Sequence, residues 1–114
     1  MGLFGKKVYL VQIEATIAWE SYCDPRTGTY TAACRALNLN AVGDTFDELQ
    51  ACAKEAMQLL FEDLFETGEL EGFLRTNGWR PRGELPATDK RVRFDVPFDW
   101  QQRKSAKELI PAYA

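Results

Sequence analysis

Gly43-Asp44-Thr45-Phe46-Asp47-Glu48-Leu49 reads as the start of a helix. The Thr45 hydroxyl can accept a hydrogen bond from the free backbone N–H of Glu48. The Glu48 carboxylate can reach back to the N–H of Thr45, which completes a reciprocal cap. Asp47 and Glu48 set negative charge against the positive end of the helix dipole. Gly43-Asp44 allows a sharp turn out of the preceding segment. From Phe46 the apolar residues recur at helical spacing: Phe46, Leu49, Ala53, Ala56, Leu60 and Leu64. The pattern runs to Phe65, and Glu66-Thr67-Gly68 closes it with Gly68 as the left-handed residue past the end. The prediction is an amphipathic helix of about twenty residues, roughly 30 Å long.

Upstream, residues 8–22 alternate as one long strand. Tyr9, Val11, Ile13, Ala15, Ile17 and Trp19 form the set expected to face the helix. The other set, Val8, Leu10, Gln12, Glu14, Thr16 and Ala18, is mixed, which predicts a sheet with one covered and one wetter face. Asp24-Pro25-Arg26-Thr27-Gly28 is a hairpin turn, because Pro pre-sets φ and Gly takes the left-handed position. Residues 30–34 are the returning strand, and residues 37–42 a third strand. Downstream, residues 69–76 carry Leu70, Phe73 and Leu74 at helical spacing, and Asn77-Gly78 ends that short helix. Two prolines and a glycine hold residues 80–86 open as a loop. Residues 91–96 alternate as a fourth strand, with Val92, Phe94 and Val96 against Arg91, Arg93 and Asp95. Pro97 stops this strand or marks it as a sheet edge. Residues 100–110 are expected to form a last short helix. The order β-β-β-α-α-β predicts an α+β fold, a small antiparallel sheet with the long helix on one face. The expected organisation is an arm over residues 1–7, one domain over 8–100 and a tail over 101–114.

The chain has 114 residues, of which 46% are hydrophobic, enough for one modest core. A net charge of −3 argues against a whole-surface nucleic-acid binder. The charge is uneven, however. Residues 44–71 hold nine acids and one Lys, net −8, and residues 72–114 hold nine Lys/Arg and five acids, net +4. No histidine is present, which removes the commonest general base and every Ser-His or Cys-His pair. Cys23, Cys34 and Cys52 have no CxxC spacing, so zinc is not expected, and reduced thiols in the cytoplasm are. The opening residues lack the apolar core of a signal sequence, and no apolar run approaches membrane length.

After three short strands, Gly43-Asp44-Thr45 and Glu48 resemble the helix start of the HicB antitoxin family. Gly28-Thr29-Tyr30-Thr31-Ala32 resembles its hairpin return, and Ala53-Lys54-Glu55-Ala56 its helix body. The resemblance spans about residues 8–66. It implies a fold similar to a partial ribonuclease H fold without the catalytic set. It also implies a binding protein that covers a small, basic, HicA-type mRNA-cleaving toxin. Two features depart from the family. Arg35-Ala36-Leu37-Asn38-Leu39 stands where a Pro-Gly pair is usual. The strand and single helix expected over 91–110 fall short of a ribbon-helix-helix module, so operator DNA binding is not expected.

The residues themselves leave several readings open. Glu62, Asp63, Glu66, Glu69 and Glu71 gather at the end of the long helix, where acids oppose the dipole. They read either as a solvated face or as a surface for a basic partner. Asp44, Asp47 and Glu48 could hold Mg²⁺, but capping accounts for Asp47 and Glu48. Trp79, Trp100 and Tyr113 stand near Arg80, Arg82, Arg103 and Lys104, an arrangement that either stacks bases or anchors the tail to the core. Leu59 and Phe61 flank the helical stripe as a dimer seam or as part of a wide core face. The leading expectation is a non-catalytic antitoxin with no cofactor that forms a homodimer or higher oligomer. Its alternative is a stand-alone oligomeric adaptor of the same fold. A nuclease built on Glu14, Glu20 and Asp24 is the third and weakest reading.

Overall fold

The structure is a computed structural model, described here for residues 7–102. The elements are β1 (Val8–Glu14), β2 (Ala18–Cys23), β3 (Tyr30–Cys34), β4 (Leu39–Gly43), α1 (Phe46–Glu66), α2 (Leu70–Thr76), β5 (Arg80–Pro81), β6 (Arg91–Asp95) and β7 (Asp99–Gln102). The fold is α+β. Two compact units share the chain, the first built from residues 7–16 and 58–97, the second from residues 17–57 and 98–102. Among the described residues no helix is long and apolar enough to cross a membrane.

In the first unit β1 is the central strand of a three-stranded sheet of order β5-β1-β6. It pairs antiparallel with β5 and parallel with β6, Val8 opposite Arg91 and Leu10 opposite Arg93. Alternation then decides the faces. Val11, Ile13, Val92 and Phe94 are buried with Phe61 and Phe65 of α1 and Leu70 and Leu74 of α2. Phe94 lies between Phe61 and Phe65, with ring centroids 5.9 and 6.0 Å away. Val8, Leu10, Arg91 and Arg93 stand exposed on the other face.

In the second unit the sheet order is β4-β3-β2-β7. β2, β3 and β4 form an antiparallel meander, and β7 joins β2 in parallel, with Trp19 opposite Trp100. Ile17, Trp19, Ala32, Ala33, Cys34, Leu37, Ala41, Leu49, Ala53 and Met57 are its buried residues. Small residues on β3 and β4 leave the volume to Trp19, the largest fully buried side chain.

Several expectations are corrected. The single strand over residues 8–22 is two strands in two sheets, with Ala15, Thr16 and Ile17 between them. No Gly or Pro marks the break, and the apolar alternation runs straight through it. The sheets are mixed rather than antiparallel, because β6 and β7 each return alongside a strand of the same direction. The third strand begins at Leu39, since Arg35, Ala36, Leu37 and Asn38 form a turn. Asn38 sits there at φ 56°, a conformation its short amide tolerates. Two residues of the expected loop, Arg80 and Pro81, pair with β1 as β5. Trp100 lies in a strand rather than at a helix start, and residues 103–110 of that expected helix fall outside the described residues.

The start and stop of α1 match the sequence closely. Glu48 N–H donates to Thr45 Oγ1 at 3.1 Å. The return bond is shifted by one residue, with Asp44 N–H donating to Glu48 Oε1 at 2.8 Å. At the other end Gly68 has φ 79°. Gly68 N–H donates to the Phe65 carbonyl and Glu69 N–H to the Leu64 carbonyl, the Schellman arrangement. Gly78 repeats it after α2, with Trp79 N–H donating to the Leu74 carbonyl. Thr45→Ala removes the side-chain acceptor and is expected to cost about 0.5–2 kcal/mol. An unchanged denaturant midpoint would show that Thr45 is not the cap.

Gly43 serves a different need from the one its place before a turn suggests. Its φ is not among the positive ones. A Cβ there would lie 2.5 Å from the Leu49 backbone nitrogen and 2.9 Å from the Glu48 carbonyl carbon. The end of β4 therefore runs against the first turn of α1 with no room for a side chain. Gly43→Ala has backbone rather than a flexible side chain to displace, and is expected to cost about 1–3 kcal/mol of overpacking. The check is its urea midpoint, and a midpoint equal to that of the parent would contradict the close approach.

Candidate interaction surface

Three of the five acids singled out in the sequence border two grooves of the first unit. Glu62 and Glu66, on α1, border a groove of about 600 Å³. Phe65 lies among its walls, and Lys90, Arg91 and Arg93 line it from the strand side. Glu71 borders a second groove of about 440 Å³ between Phe65, Leu70, Pro81 and Pro86. Asp63, Glu66, Glu69 and Glu71 are exposed, and Glu62 is half-buried. Two of the five have side-chain partners. Gln58 Nε2 donates to Glu62 Oε2 at 2.5 Å, and Thr67 Oγ1 donates to Glu69 Oε1 at 2.8 Å. Among the described residues none of the five is in an ion pair.

Gln58 does more than hold Glu62. Its Oε1 accepts the backbone N–H of Phe94 at 3.0 Å. β6 is an edge strand, so this amide side chain occupies a position that a neighbouring strand's carbonyl would otherwise fill.

On the outer face of the β5-β1-β6 sheet the cations divide into two groups. Arg80 Nε donates to Glu14 Oε1 at 2.6 Å, and Arg82 Nε to Glu14 Oε2 at 3.4 Å. The Arg80 guanidinium, through that hydrogen bond and its charge, holds the Glu14 carboxyl below the usual carboxylate range. Arg91 and Arg93 have no ion pair among the described residues. They stand opposite the exposed Val8 and Leu10. The sequence showed this face only as a mixed set of residues. The signal that could have found it was the alternation of Arg91 and Arg93 on a strand that ends at a proline.

The remaining candidates are committed locally. Glu14 holds Arg80 and Arg82. Glu20 is buried, with Arg35 at 3.5 Å, and Asp24 Oδ1 accepts the Arg26 backbone N–H at 2.9 Å within the hairpin turn. Among the described residues no group of three or more His, Cys, Asp or Glu is placed to hold a metal ion. Trp79 packs against Phe73 at 6.3 Å, and Trp100 packs against Trp19, Phe46 and Phe98. Both tryptophans are half-buried anchors, while Tyr113, Arg103 and Lys104 lie outside the described residues. The three cysteines are free thiols. Cys34 is buried, and that burial pushes its thiol pKa up; Cys23 is exposed. No family model, curated protein or solved structure matches the chain.

Proposed function

We propose that this chain acts by binding, as a HicB-like antitoxin that covers a small basic mRNA-cleaving toxin in the cytoplasm. The supporting observation is the acidic end of α1. Asp63, Glu66, Glu69 and Glu71 are exposed and without ion pairs among the described residues. Asp63 and Glu66 lie in the last turn of α1, where acids oppose the dipole at a cost of about 0.3–1 kcal/mol each, whereas Glu69 and Glu71 stand at the start of α2, where the dipole favours them. A cationic partner turns that cost into an electrostatic gain and is steered to the surface as it approaches. The groove bordered by Glu71 and Glu84, which no Lys or Arg lines, gives such a partner relief to grip.

The test is a pull-down from native cell extract with the full chain as bait, at low and at high salt, followed by mass spectrometry. The expected result is a small basic protein retained at low salt and released at high salt. Its RNA cleavage is expected to be suppressed by adding the chain. Reversing the acids in Glu62→Lys/Glu66→Lys is expected to weaken capture roughly tenfold, equivalent to about 1.4 kcal/mol. Recovery of no basic ribonuclease at low salt would overturn the reading.

A further inference from the structure

We infer that the outer face of the β5-β1-β6 sheet docks the outer ridge of α1 from a second copy of this chain. The argument starts from where large apolar side chains remain in water. Leu10 is 66% exposed and Val8 46% exposed, although β1 is the central strand of its sheet. A central strand with its apolar residues uncovered leaves that face without a packing layer. The first unit has one other large exposed apolar residue among those described, Leu59 at 58%, on α1.

The charges around the two patches are opposite. On the sheet, strand register sets Arg91 beside Val8 and Arg93 beside Leu10. At the far end of the face Arg80 and Arg82 are already satisfied by Glu14, so the open positive charge lies at the Val8 and Leu10 end. On the helix, Asp63 and Glu66 follow Leu59 at i+4 and i+7, and all three are exposed on one ridge. Each patch is thus an apolar centre with two charges beside it. The lengths also agree. Leu59 to Glu66 spans roughly 10 Å along a helix. Val8 to Leu10 spans roughly 7 Å along a strand, with the two arginines adding their reach. Leu59 of one copy then covers Val8 and Leu10 of the next, and Asp63 and Glu66 meet Arg91 and Arg93.

The pairing is between molecules. Within one copy Arg91, Arg93 and Glu66 wall the same groove, but among the described residues no ion pair closes across it, so both sets of charges stay open to a second copy. Nucleic acid is the weaker occupant, since among the described residues this face offers aliphatic side chains and no exposed ring for bases to stack on. Because two different patches meet, the contact is heterologous, and it closes into a ring or continues as an open chain. The inference does not depend on the toxin reading, although both use Asp63 and Glu66.

The test is sedimentation velocity of the full chain over a range of concentrations. The expected result for the parent protein is a mass that rises with concentration at low salt and falls towards the monomer at high salt. Arg91→Glu/Arg93→Glu removes the sheet patch, and Asp63→Lys/Glu66→Lys removes the helix patch. Each variant alone is expected to be monomeric with unchanged far-UV circular dichroism. Mixed, the intact ridge of the sheet variant meets the intact sheet face of the helix variant, and the two altered patches are again opposite in charge, so assembly that grows with concentration as in the parent is expected to return. A parent protein that stays monomeric at low salt would overturn the inference without any variant, and so would a mixture that forms no complex. The sheet variant keeps the acidic ridge and should still capture a basic toxin, so failure here and failure of the toxin reading are separately visible.

Discussion

Phe61→Ala is expected to lower stability by about 3–5 kcal/mol, the range for truncating a fully buried aromatic side chain. Phe61 has no exposed surface. Its ring stands 5.9 Å from that of Phe94 and 6.3 Å from that of Phe73, at tilted and near-perpendicular angles. It therefore joins α1 to β6 and to α2 at one point. The cavity left by alanine has β6 on one side, still tied to α1 by the Phe65–Phe94 ring contact, and α2 on the other, so collapse is restricted. The comparison is Leu59→Ala, two residues away and largely exposed, where a change within about 0.5 kcal/mol is expected. Urea midpoints followed by far-UV circular dichroism separate the two, at a concentration low enough to exclude self-association. A Phe61→Ala loss below about 1 kcal/mol would contradict the packing of the first unit.

Phe61 also shows how far the sequence could be read. Helical spacing from Phe46 picks out Ala56, Leu60 and Leu64, yet these are half-buried, while Met57, Phe61 and Phe65 are buried. The buried row runs Leu49, Ala53, Met57, Phe61, Phe65. A row of i+4 steps drifts around a helix of 3.6 residues per turn. One straight stripe cannot describe a helix whose first half serves one core and whose second half serves another. Of the two residues flanking the stripe, Phe61 is core and Leu59 lies outside it.

Local chemistry was legible where one residue type fits one backbone need. Thr45 and Glu48 at the cap, Gly68 past the helix end and the hairpin at Gly28 stand where expected. Long-range pairing was not legible. The alternation of residues 8–22 is the same whether one strand continues or two strands enter different sheets, because period reports faces and not partners. The parallel returns of β6 and β7 have no local mark either. The role of Gly43 was hidden for a related reason. Its sequence context suggests a turn, whereas the constraint is the Leu49 backbone nitrogen six residues on. For the candidate surface the acids were legible as a charge run. Their unlike settings were not, since whether an acid borders a groove depends on strands that come later in the chain.

Trp19→Ala is the matching prediction for the second unit, again with an expected loss of about 3–5 kcal/mol. Trp19 is fully buried on β2, in register with Trp100 of β7, whose ring lies 6.0 Å away. Its indole Nε1–H points at Met57 Sδ at 3.4 Å. A thioether is a weak acceptor, so this contact satisfies the donor modestly while letting the side chain keep its burial. Two contributions can therefore be separated. Trp19→Ala loses the ring volume and the donor together, leaving Ala32 and Ala41, on the same face of the sheet, too small to refill the space. Trp19→Phe retains much of the ring and removes a donor whose partner was weak, so its loss should be clearly smaller than that of alanine. If packing sets the value, phenylalanine recovers most of the midpoint. If the N–H···S contact sets it, phenylalanine is as damaging as alanine, and the account of Trp19 as a volume-filling residue fails.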